Sequence, residues 1–385
     1  MNYYGKYVVF LFLGFILSLC SKRDKDVIND EDAMFVHVDI DEMQTIDIDL
    51  FADSVSYVKL EMNNECLIGD IRKVIFFENK FFIHETRTST ILVFDQSGKF
   101  LYKIGSRGNG PGEHVNLARF LLDEEKKMLM LYDDISRKMI YYSTDGKYVR
   151  QITQFSDGAV IRDIYNLPSG RFICYAPDYT ANGDLYWGVW EVDSIGKPGK
   201  ILIKHEIKYL IANTIESYFN QLPNGIVSLW LADADDIYHF SDADVHRYLS
   251  IKLNRKTVTD YPNTDDINLS IMRKSKVVEK ENFLQIYWYW KNNDNRYDNY
   301  VTVFLKEDKK ILSTKRINYR TNRMDAIFAR NVDYNIPNQI LQVISASSLE
   351  NRLRDDAISQ YRKDMLKSMF KDGEDNPILQ IFHLK

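Results

Sequence analysis

Cysteine is scarce in this chain of 385 residues, which contains only Cys20, Cys66 and Cys174. Three cysteines do not make a disulfide framework, and none of them has the close spacing of a metal-binding pair. If Cys20 carries a lipid, Cys66 and Cys174 remain, and we expect each to be a small buried apolar residue. An oxidising compartment would also permit a bridge between these two, so the sequence leaves that alternative open.

Excess positive charge is also missing, since 50 lysines and arginines face 55 aspartates and glutamates and give a net charge of -5. A general nucleic-acid-binding protein has a basic excess, so no nucleic-acid partner is expected. The chain has no Gly-x-Ser-x-Gly motif and no recognisable nucleophile–base pair, and its seven histidines show no His-x-x-x-His spacing. The sequence therefore assigns no catalytic residue and no metal ligand.

The first 20 residues differ in kind from the rest of the chain. A charged start at Lys6 precedes an apolar run over residues 7–17, and a cysteine follows at Cys20. The run is shorter than the ~20 residues that a membrane span needs, and it is typical of a secretory signal peptide. Residues 17–20 resemble a bacterial lipobox, although Leu19 stands where a small residue is usual. This pattern predicts a signal peptide over residues 1–19, followed by a lipid-attached tether and N-terminal segment over residues 20–47. An uncleaved anchor and an ordinary signal peptide are the alternatives.

Two sets of turns recur through the remaining sequence. Gly98-Lys99, Gly146-Lys147 and Gly196-Lys197 each lie between two hydrophobic runs, which is the pattern of a β-hairpin. A second set of six turns lies between these hairpins, at residues 78–80, 124–127, 167–170, 222–225, 279–282 and 334–338. Four strands repeated six times is the pattern of a six-bladed β-propeller with four-stranded antiparallel blades. The predicted fold is therefore all-β, with the propeller over residues 48–385.

The two ends of the chain predict how the ring closes. In the sixth unit the first strand is expected near residues 327–332, the second at 339–344 and the third at 377–384. A fourth strand is missing there, whereas the alternating run at residues 55–60 has no blade of its own. We therefore expect the N-terminal run to complete the last blade, which removes two exposed sheet edges.

A helical pattern interrupts the sixth unit. Leu349, Leu353, Ala357, Tyr361 and Met365 recur every four residues, so their side chains share one face of a helix. This predicts a helical insertion over residues 347–371. Its apolar stripe either packs on its own domain or docks on a partner protein.

Charged residues recur in the strand that precedes each of the six turns. In a propeller these strands surround the central channel, where converging cations raise the local concentration of an anion. The alternative is that each charge is paired with a neighbouring blade or points to solvent. The sequence thus gives these candidates for binding a ligand in the channel: Arg72, Arg119, Arg162, Glu216, Lys276 and Arg330.

Two other features are candidates for small ligands. The glycine-rich loop from Gly105 to Glu113 lacks the Lys-Ser/Thr pair of a P-loop and leads to a strand, so we interpret it as a crossover between blades. Acidic residues cluster at residues 233–244 and 292–299, and oxygen-rich loops suit calcium, but neither has a known calcium-loop pattern. No cofactor is predicted, and a bound calcium or other divalent ion remains open.

One segment resembles a known family. Residues Phe94 to His114 resemble the motif of the NHL-like six-bladed β-propeller lipoproteins of Gram-negative anaerobes, and residues 375–385 are similar to the usual last strand of that family. The resemblance implies a location in the cell envelope, on the periplasmic or the cell-surface face, and says little about chemistry. We therefore expect an envelope-anchored binding propeller whose partner is an anionic saccharide or peptide, or an outer-membrane or periplasmic protein. A metal-dependent lactonase- or lyase-like enzyme is the alternative.

Overall fold

Short apolar runs separated by tight turns make up most of the chain, and these runs fold as β-strands. Within the described residues the strands form the six blades of a β-propeller, which confirms the fold class that the repeat predicts. The computed structural model describes residues 33–44, 46, 50–181, 184–205, 217–231, 234–242, 244–257, 260, 271–291, 297–315, 333–345, 349, 353–354, 360–370 and 375–385.

Each of the first two blades is a four-stranded antiparallel meander that begins with its innermost strand. Two strands precede them, β1 (Met34–Val38) and β2 (Ala52–Lys59). The first blade contains β3 (Ile71–Phe77), β4 (Lys80–Glu85), β5 (Thr90–Asp95) and β6 (Phe100–Ile104). After the short parallel pair β7 (Ser106–Arg107) and β8 (Glu113–His114), the second blade contains β9 (Leu117–Asp123), β10 (Met128–Asp133), β11 (Lys138–Ser143) and β12 (Tyr148–Ile152).

The third, fourth and fifth blades repeat the same meander. The third contains β13 (Asp163–Asn166), β14 (Phe172–Ala181), β15 (Asp184–Val192) and β16 (Pro198–His205). The fourth contains β17 (Phe219–Gln221), β18 (Val227–Trp230), β19 (Asp236–Phe240) and β20 (Val245–Leu253). The fifth contains β21 (Met272–Glu279), β22 (Phe283–Lys291), β23 (Tyr297–Leu305) and β24 (Lys310–Lys315).

The sixth blade joins the two ends of the chain. Its described sheet has three strands, β26 (Gln339–Ile344), β27 (Ile378–Leu384) and, on the outer edge, β2. β2 pairs antiparallel with β27, with Val58 opposite Leu379, and the short strand β25 (Asp333–Tyr334) precedes β26 but belongs to the sheet of the first blade. The predicted closure by residues 55–60 is therefore confirmed. The predicted first strand near residues 327–332 lies outside the described residues, and β25 pairs in parallel with β3 of the first blade.

The N-terminal segment contributes a strand that the sequence analysis missed. β1 pairs in parallel with β20, with Met34 opposite Leu249, and so adds a fifth strand to the outer edge of the fourth blade. Residues 34–38 alternate in burial, since Val36 and Val38 are buried whereas Phe35 and His37 are exposed. This strand of five residues lies inside the segment predicted as a tether and gives only a weak alternating pattern. It covers an otherwise open edge of the fourth blade.

The helical insertion packs on its own blade. The described helix α1 spans Gln360–Met369, within the predicted 347–371. Leu349 and Leu366 are buried together with Ile344 of β26 and Ile378 of β27. The apolar stripe was expected either to pack on its own domain or to dock on a partner protein, and its described residues pack on the domain.

The hydrophobic core consists of separate clusters between neighbouring blades. Phe82 of β4 and Phe120 of β9 are fully buried between the first and second blades, and Trp190 belongs to the cluster between the second and third. Cys66 and Cys174 are buried, unbonded and located in different clusters, which confirms the expectation of small apolar residues. Because each blade buries its faces only against its neighbours, the ring must close for the core to be complete.

Buried carboxylates hold the loops at the end of the ring where the inner strands begin, which we call the entry end. Glu85 at the end of β4 accepts hydrogen bonds from the backbone N–H groups of Gly69, Arg87 and Thr88. Asp133 at the end of β10 accepts four in the same way, among them the N–H of Val115 at 2.7 Å. Burial raises the pKa of each carboxyl, but these hydrogen bonds outweigh it, and both pKa values lie below the ordinary range.

Candidate functional site

Two adjoining cavities lie where the inner strands end and the six turns begin, which we call the turn end. Their volumes are about 230 Å³ and about 70 Å³. Four residues line both cavities: Lys73 of β3 in the first blade, Tyr165 of β13 in the third, Gln221 of β17 in the fourth, and Asn335 in the turn that leads to β26 of the sixth. Side chains from four blades meet only near the propeller axis, so these axial cavities are the channel that the sequence predicts.

Positive charge and a spare hydrogen-bond donor characterise the smaller axial cavity. Lys73, Lys276 and Lys280 line it. Asn220 of β17 adds a side-chain amide whose Nδ2 atom is buried and has no hydrogen-bond partner in the described part of the chain. A buried donor without an acceptor costs about 1–3 kcal/mol, so an acceptor on a ligand would relieve that cost. The wall is therefore suited to a group that is both negatively charged and rich in acceptors.

Other polar residues in the wall hold the blades in place. The side chain of Asn335 accepts a hydrogen bond from the N–H of Phe76 at 2.8 Å and donates to the carbonyl of the same residue at 3.1 Å. Because its side chain bonds both backbone groups of Phe76, as the backbone of a neighbouring strand would, Asn335 joins the turn before β26 to the first blade. Lys280 donates to the carbonyl of Ile336 at 3.2 Å, which ties the fifth blade to the sixth.

Carboxylates lie on one side of the larger axial cavity. Asp123, Glu124 and Glu125 line it at the turn between β9 and β10. Asp123 accepts hydrogen bonds from the N–H and the ammonium group of Lys126, the latter at 2.7 Å, and Glu124 and Glu125 are exposed. The acidic side chains thus form an outer rim, where solvent screens their charges, whereas the lysines lie in the walls of the axial cavities.

The structure separates the six residues predicted to line the channel. Lys276 lines the smaller axial cavity. Arg162 is exposed at the entry end, and Glu216 and Arg330 lie outside the described residues. Arg72 and Arg119 do not line the two axial cavities and lie instead at the entry end.

Arg119 forms an ion pair with a neighbouring blade, which is the alternative to ligand binding that the sequence analysis left open. Its Nε donates to Asp163 Oδ1 at 2.8 Å, and the Asp163 side chain is only 2% exposed. Asp163 Oδ2 also accepts from the hydroxyl of Ser217 at 2.8 Å and from the N–H of Tyr218 at 2.6 Å. This one carboxylate therefore links the second, third and fourth blades.

Sequence reasoning missed Asn220, Gln221 and Asn335 because it searched the inner strands for charge. Gln221 and Asn335 stand at or just before the recurring turn of their blade, as does Asn166, which lines the larger axial cavity. The signal that could have identified these cavity-lining residues is an asparagine or glutamine in, or just before, the turn that recurs in each blade.

The glycine-rich loop from Gly105 to Glu113 contacts its own surroundings. Glu113 Oε2 accepts from the N–H of Gly110 at 2.8 Å, and Lys138 donates to the Glu113 carbonyl at 2.8 Å. Gly105 has φ of +81°, and a Cβ there would lie 2.8 Å from the ring of His114. These contacts agree with a structural crossover between the first and second blades.

The acidic clusters do not gather into a metal site in the part of the chain that is described. No group of three histidine, cysteine, aspartate or glutamate side chains is placed to hold a metal ion among those residues. Asp236 instead faces Arg247, and Asp242 accepts from the N–H of Ser169 at 2.9 Å. Asp233 and residues 292–296 lie outside the described residues. The metal-dependent enzyme alternative therefore has no supporting ligand group among the described residues.

Two solved structures from Bacteroides species are similar in fold to this chain. One is a "putative exported protein" from Bacteroides fragilis NCTC 9343, with a TM-score of 0.73 and 18% identity over 91% of this chain and 100% of the other. A member of the DUF4221 family from Bacteroides vulgatus ATCC 8482 has a TM-score of 0.50 and 12% identity over 87% and 97%. At these identities the likeness shows the fold alone.

Other comparisons are weaker. A catalytically inactive virginiamycin B lyase from Staphylococcus aureus, solved with quinupristin, has a TM-score of 0.42 and 9% identity over 86% of this chain and 99% of the other. No curated protein matches the sequence. Among the described residues no helix has the length and apolar character needed to cross a membrane.

The family is shown by a sequence model that spans nearly the whole chain. The model, described as a domain of unknown function, matches residues 32–383, which include every blade. The likeness to NHL-like lipoproteins stays a prediction, whereas the match identifies the chain as a member of the DUF4934 family.

Proposed function

We propose that this propeller is a cell-envelope binding protein that takes a carboxylate-bearing ligand, an acidic saccharide or an acidic peptide, in its axial cavities. The observation that carries the proposal is the buried, unpartnered Asn220 amide in a wall that also contains Lys73 and Lys276. A carboxylate would accept from the amide and pair with an ammonium group at the same time.

The position of the lysines inside a cleft strengthens this interaction. Charges in a poorly hydrated cleft attract more strongly than charges on an open surface, because the effective dielectric constant is lower. The exposed Glu124 and Glu125 on the rim are screened by solvent and disfavour a second negative group at the opening. The site therefore favours a ligand with one inserted carboxylate over a polyanion.

The location in the envelope is part of the same proposal. It is supported by the apolar run over residues 7–17, by Cys20 in a lipobox-like sequence, and by the similar structure from Bacteroides fragilis that is described as a "putative exported protein". An outer-membrane or periplasmic protein partner would present its carboxylate on a peptide segment, and the axial cavities accept that chemistry as well.

Isothermal titration calorimetry with two carboxylate probes tests the site. Each probe carries one carboxylate: 3′-sialyllactose is an acidic trisaccharide, and acetyl-Gly-Glu-Gly-amide is a capped acidic peptide. Maltotriose is the neutral control. We expect one of the two carboxylate probes to bind, and binding to weaken at least tenfold in the double variant Lys73→Gln/Lys276→Gln. Removing a charge-assisted contact costs about 1.5–3 kcal/mol, which corresponds to roughly 10- to 150-fold in affinity.

A matched control variant is Lys147→Gln. Lys147 lies at the outer hairpin turn of the second blade with its side chain 82% exposed, so the variant removes one positive charge far from the axis. It should bind like the wild type. The proposal is wrong if neither carboxylate probe binds more tightly than maltotriose, or if Lys147→Gln weakens binding as much as the double variant.

A further inference from the structure

Another cavity opens at the turn end of the ring, between the turns of the fifth and sixth blades. Its volume is about 80 Å³. Because one water-sized group needs about 10–15 Å³ of such space, several heavy atoms of a ligand fit there. We call this cavity the apolar pocket, and its apolar residues are Leu50, Phe51, Phe283, Leu305, Pro337 and Leu384.

The apolar pocket exposes aliphatic surface to water. Phe51 and Phe283 are buried, and their rings meet edge-on with centroids 5.0 Å apart. Leu305 and Leu384 are half-buried, and Leu50, which precedes β2, is 50% exposed. An apolar group that covers these three leucines removes their surface from water, which is favourable. The pocket therefore suits an apolar side chain.

The polar side chains that line the apolar pocket bond to the backbone or face solvent. The amide of Asn282 donates to the carbonyl of Lys385 at 2.9 Å, and the ammonium group of Lys280 donates to the carbonyl of Ile336 at 3.2 Å. Glu281 and Lys385 are exposed. A sugar ring in this pocket would lose hydrogen bonds between its hydroxyl groups and water, whereas an aliphatic side chain has none to lose.

The apolar pocket adjoins the smaller axial cavity. Lys280 lines both. In the turn of the sixth blade, Asn335 and Gln339 line the smaller axial cavity, whereas Pro337 and Asn338 between them line the apolar pocket. One side chain and one turn therefore separate the two cavities, and both cavities lie at the turn end. A ligand that passes over Lys280 reaches both.

We propose that the ligand of this propeller is a peptide segment that places a carboxylate in the smaller axial cavity and a leucine side chain in the apolar pocket. This inference rests on the proposed function and selects the acidic peptide over the acidic saccharide. In an extended peptide, side chains two residues apart point to the same side and lie about 7 Å apart. A glutamate and a leucine at that spacing enter neighbouring cavities together, whereas a saccharide has no aliphatic side chain to offer.

Isothermal titration calorimetry with two matched peptides tests the apolar pocket. Acetyl-Leu-Gly-Glu-Gly-Leu-amide has a leucine two residues away on each side of its glutamate, so its binding does not depend on the direction of the chain. Acetyl-Gly-Gly-Glu-Gly-Gly-amide has the same length and the same carboxylate. We expect the leucine peptide to bind at least about tenfold more tightly, because burial of one leucine side chain contributes about that much. Equal affinities of the two peptides would overturn the inference and leave the carboxylate site standing.

Two aspartate variants show whether the gain comes from this pocket. Leu50→Asp places a charge at the apolar pocket, and Leu101→Asp makes the same change on β6 of the first blade, where the side chain is 40% exposed. In Leu50→Asp the leucine peptide should lose its advantage over the glycine peptide, and in Leu101→Asp it should keep it. The same loss in both variants, or in neither, would refute the pocket.

Photo-crosslinking locates the leucine side chain directly. A version of the leucine peptide with photo-leucine at both leucine positions should crosslink, after irradiation, to the apolar pocket. Mass spectrometry should then find the peptide attached to fragments that contain Leu50, Phe283 or Pro337. Crosslinks confined to other parts of the chain would contradict the inference.

The acidic trisaccharide 3′-sialyllactose separates this inference from the proposed function. If it binds and neither peptide does, the axial cavities take a saccharide, and the assignment of a peptide is wrong while the carboxylate site stands. If none of the three ligands binds, both proposals are wrong.

Discussion

Glu279 shows at the residue scale how this propeller stabilises a buried charge. Its side chain is fully buried at the end of β21, and it accepts hydrogen bonds from Ser228, from His239 at 3.0 Å and from Lys306 at 2.7 Å. Burial raises the pKa of this carboxyl, but the hydrogen bonds and charges of His239 and Lys306 outweigh it and lower the pKa. The ring of Tyr248 stacks on His239 at 3.9 Å and completes the joint between the fourth and fifth blades.

Replacing Glu279 by glutamine should destabilise the fold by about 3 kcal/mol, because it leaves the partly buried ammonium group of Lys306 without a counter-charge. Urea unfolding followed by fluorescence measures the change in the free energy of unfolding. Glu307→Gln is the matched control, since Glu307 lies next to Lys306 and is exposed, and it should change the free energy by less than about 0.5 kcal/mol. Equal effects of the two substitutions would mean that the buried network contributes nothing.

The buried side chain of His84 makes the free energy of unfolding depend on pH. Burial and the charge of Arg72 lower its pKa to about 3 in the folded state, whereas it is near 6.5 when exposed, so the unfolded chain takes up the proton first as the pH falls. The contribution of neutral His84 is therefore fully present above pH 6.5 and is lost progressively between 6.5 and 3.

Wild type should lose up to about 1.4 kcal/mol of unfolding free energy per pH unit from His84 between pH 6.5 and 5. Above pH 5 most carboxylates are still ionised and contribute little to the slope. The variant His84→Leu should have a slope smaller by this amount. Phe82→Leu, which alters a buried neighbour on the same strand that does not titrate, should lower stability equally at each pH. A His84→Leu slope equal to that of the wild type would contradict the assignment.

The strand that closes the ring decides stability at the scale of elements. β2 is far in sequence from its partner β27, and its Val58 packs on the cluster that contains Leu341, Leu379 and Ile381. The two ends of the chain must meet for the sixth blade to have an outer strand, so this contact couples both ends to the first blade. In the other blades, consecutive strands of the chain pair with each other, so forming those blades does not require distant parts of the sequence to meet.

Val58→Asp should lower the free energy of unfolding by about 2–4 kcal/mol, because it places an unpaired charge in that cluster. Hydrogen exchange should show faster opening of β26 and β27, the strands that β2 covers. Ser54→Asp, at an exposed position of the same strand, is the control and should leave both measurements nearly unchanged. If only the residues next to Val58 exchange faster, closure by β2 does not couple the blade.

At the scale of the whole molecule, the first described strands lie on the outside of the ring. β1 lies on the outer edge of the fourth blade and β2 on that of the sixth, so Met34 lies at the rim of the ring and away from the axis. A membrane attachment through Cys20 would therefore leave the axial cavities open to a ligand.

Cys20→Ser should release the protein from the membrane if Cys20 carries the lipid. In cell fractionation the wild type should sediment with membranes, and the variant should appear in the soluble fraction. Cys66→Ser, at a buried position inside the domain, should stay with the membranes and so controls for loss of any cysteine. A Cys20→Ser protein that still sediments with membranes would favour the uncleaved anchor.

The number of blades, the closing strand and the helical insertion followed from the sequence, because apolar alternation and turn residues act over a few neighbouring positions. The lining of the axial cavities and the pairing of Arg119 with Asp163 depend on blades that are 44 residues apart along the chain or farther. Register shifts on the inner strands, between Ile71 and Lys73 and between Lys274 and Lys276, also change which face a charged side chain occupies. A shift of one residue moves a side chain to the opposite face, so only the tertiary structure decides that Lys276 reaches the cavity wall while Arg72 turns to the joint between blades.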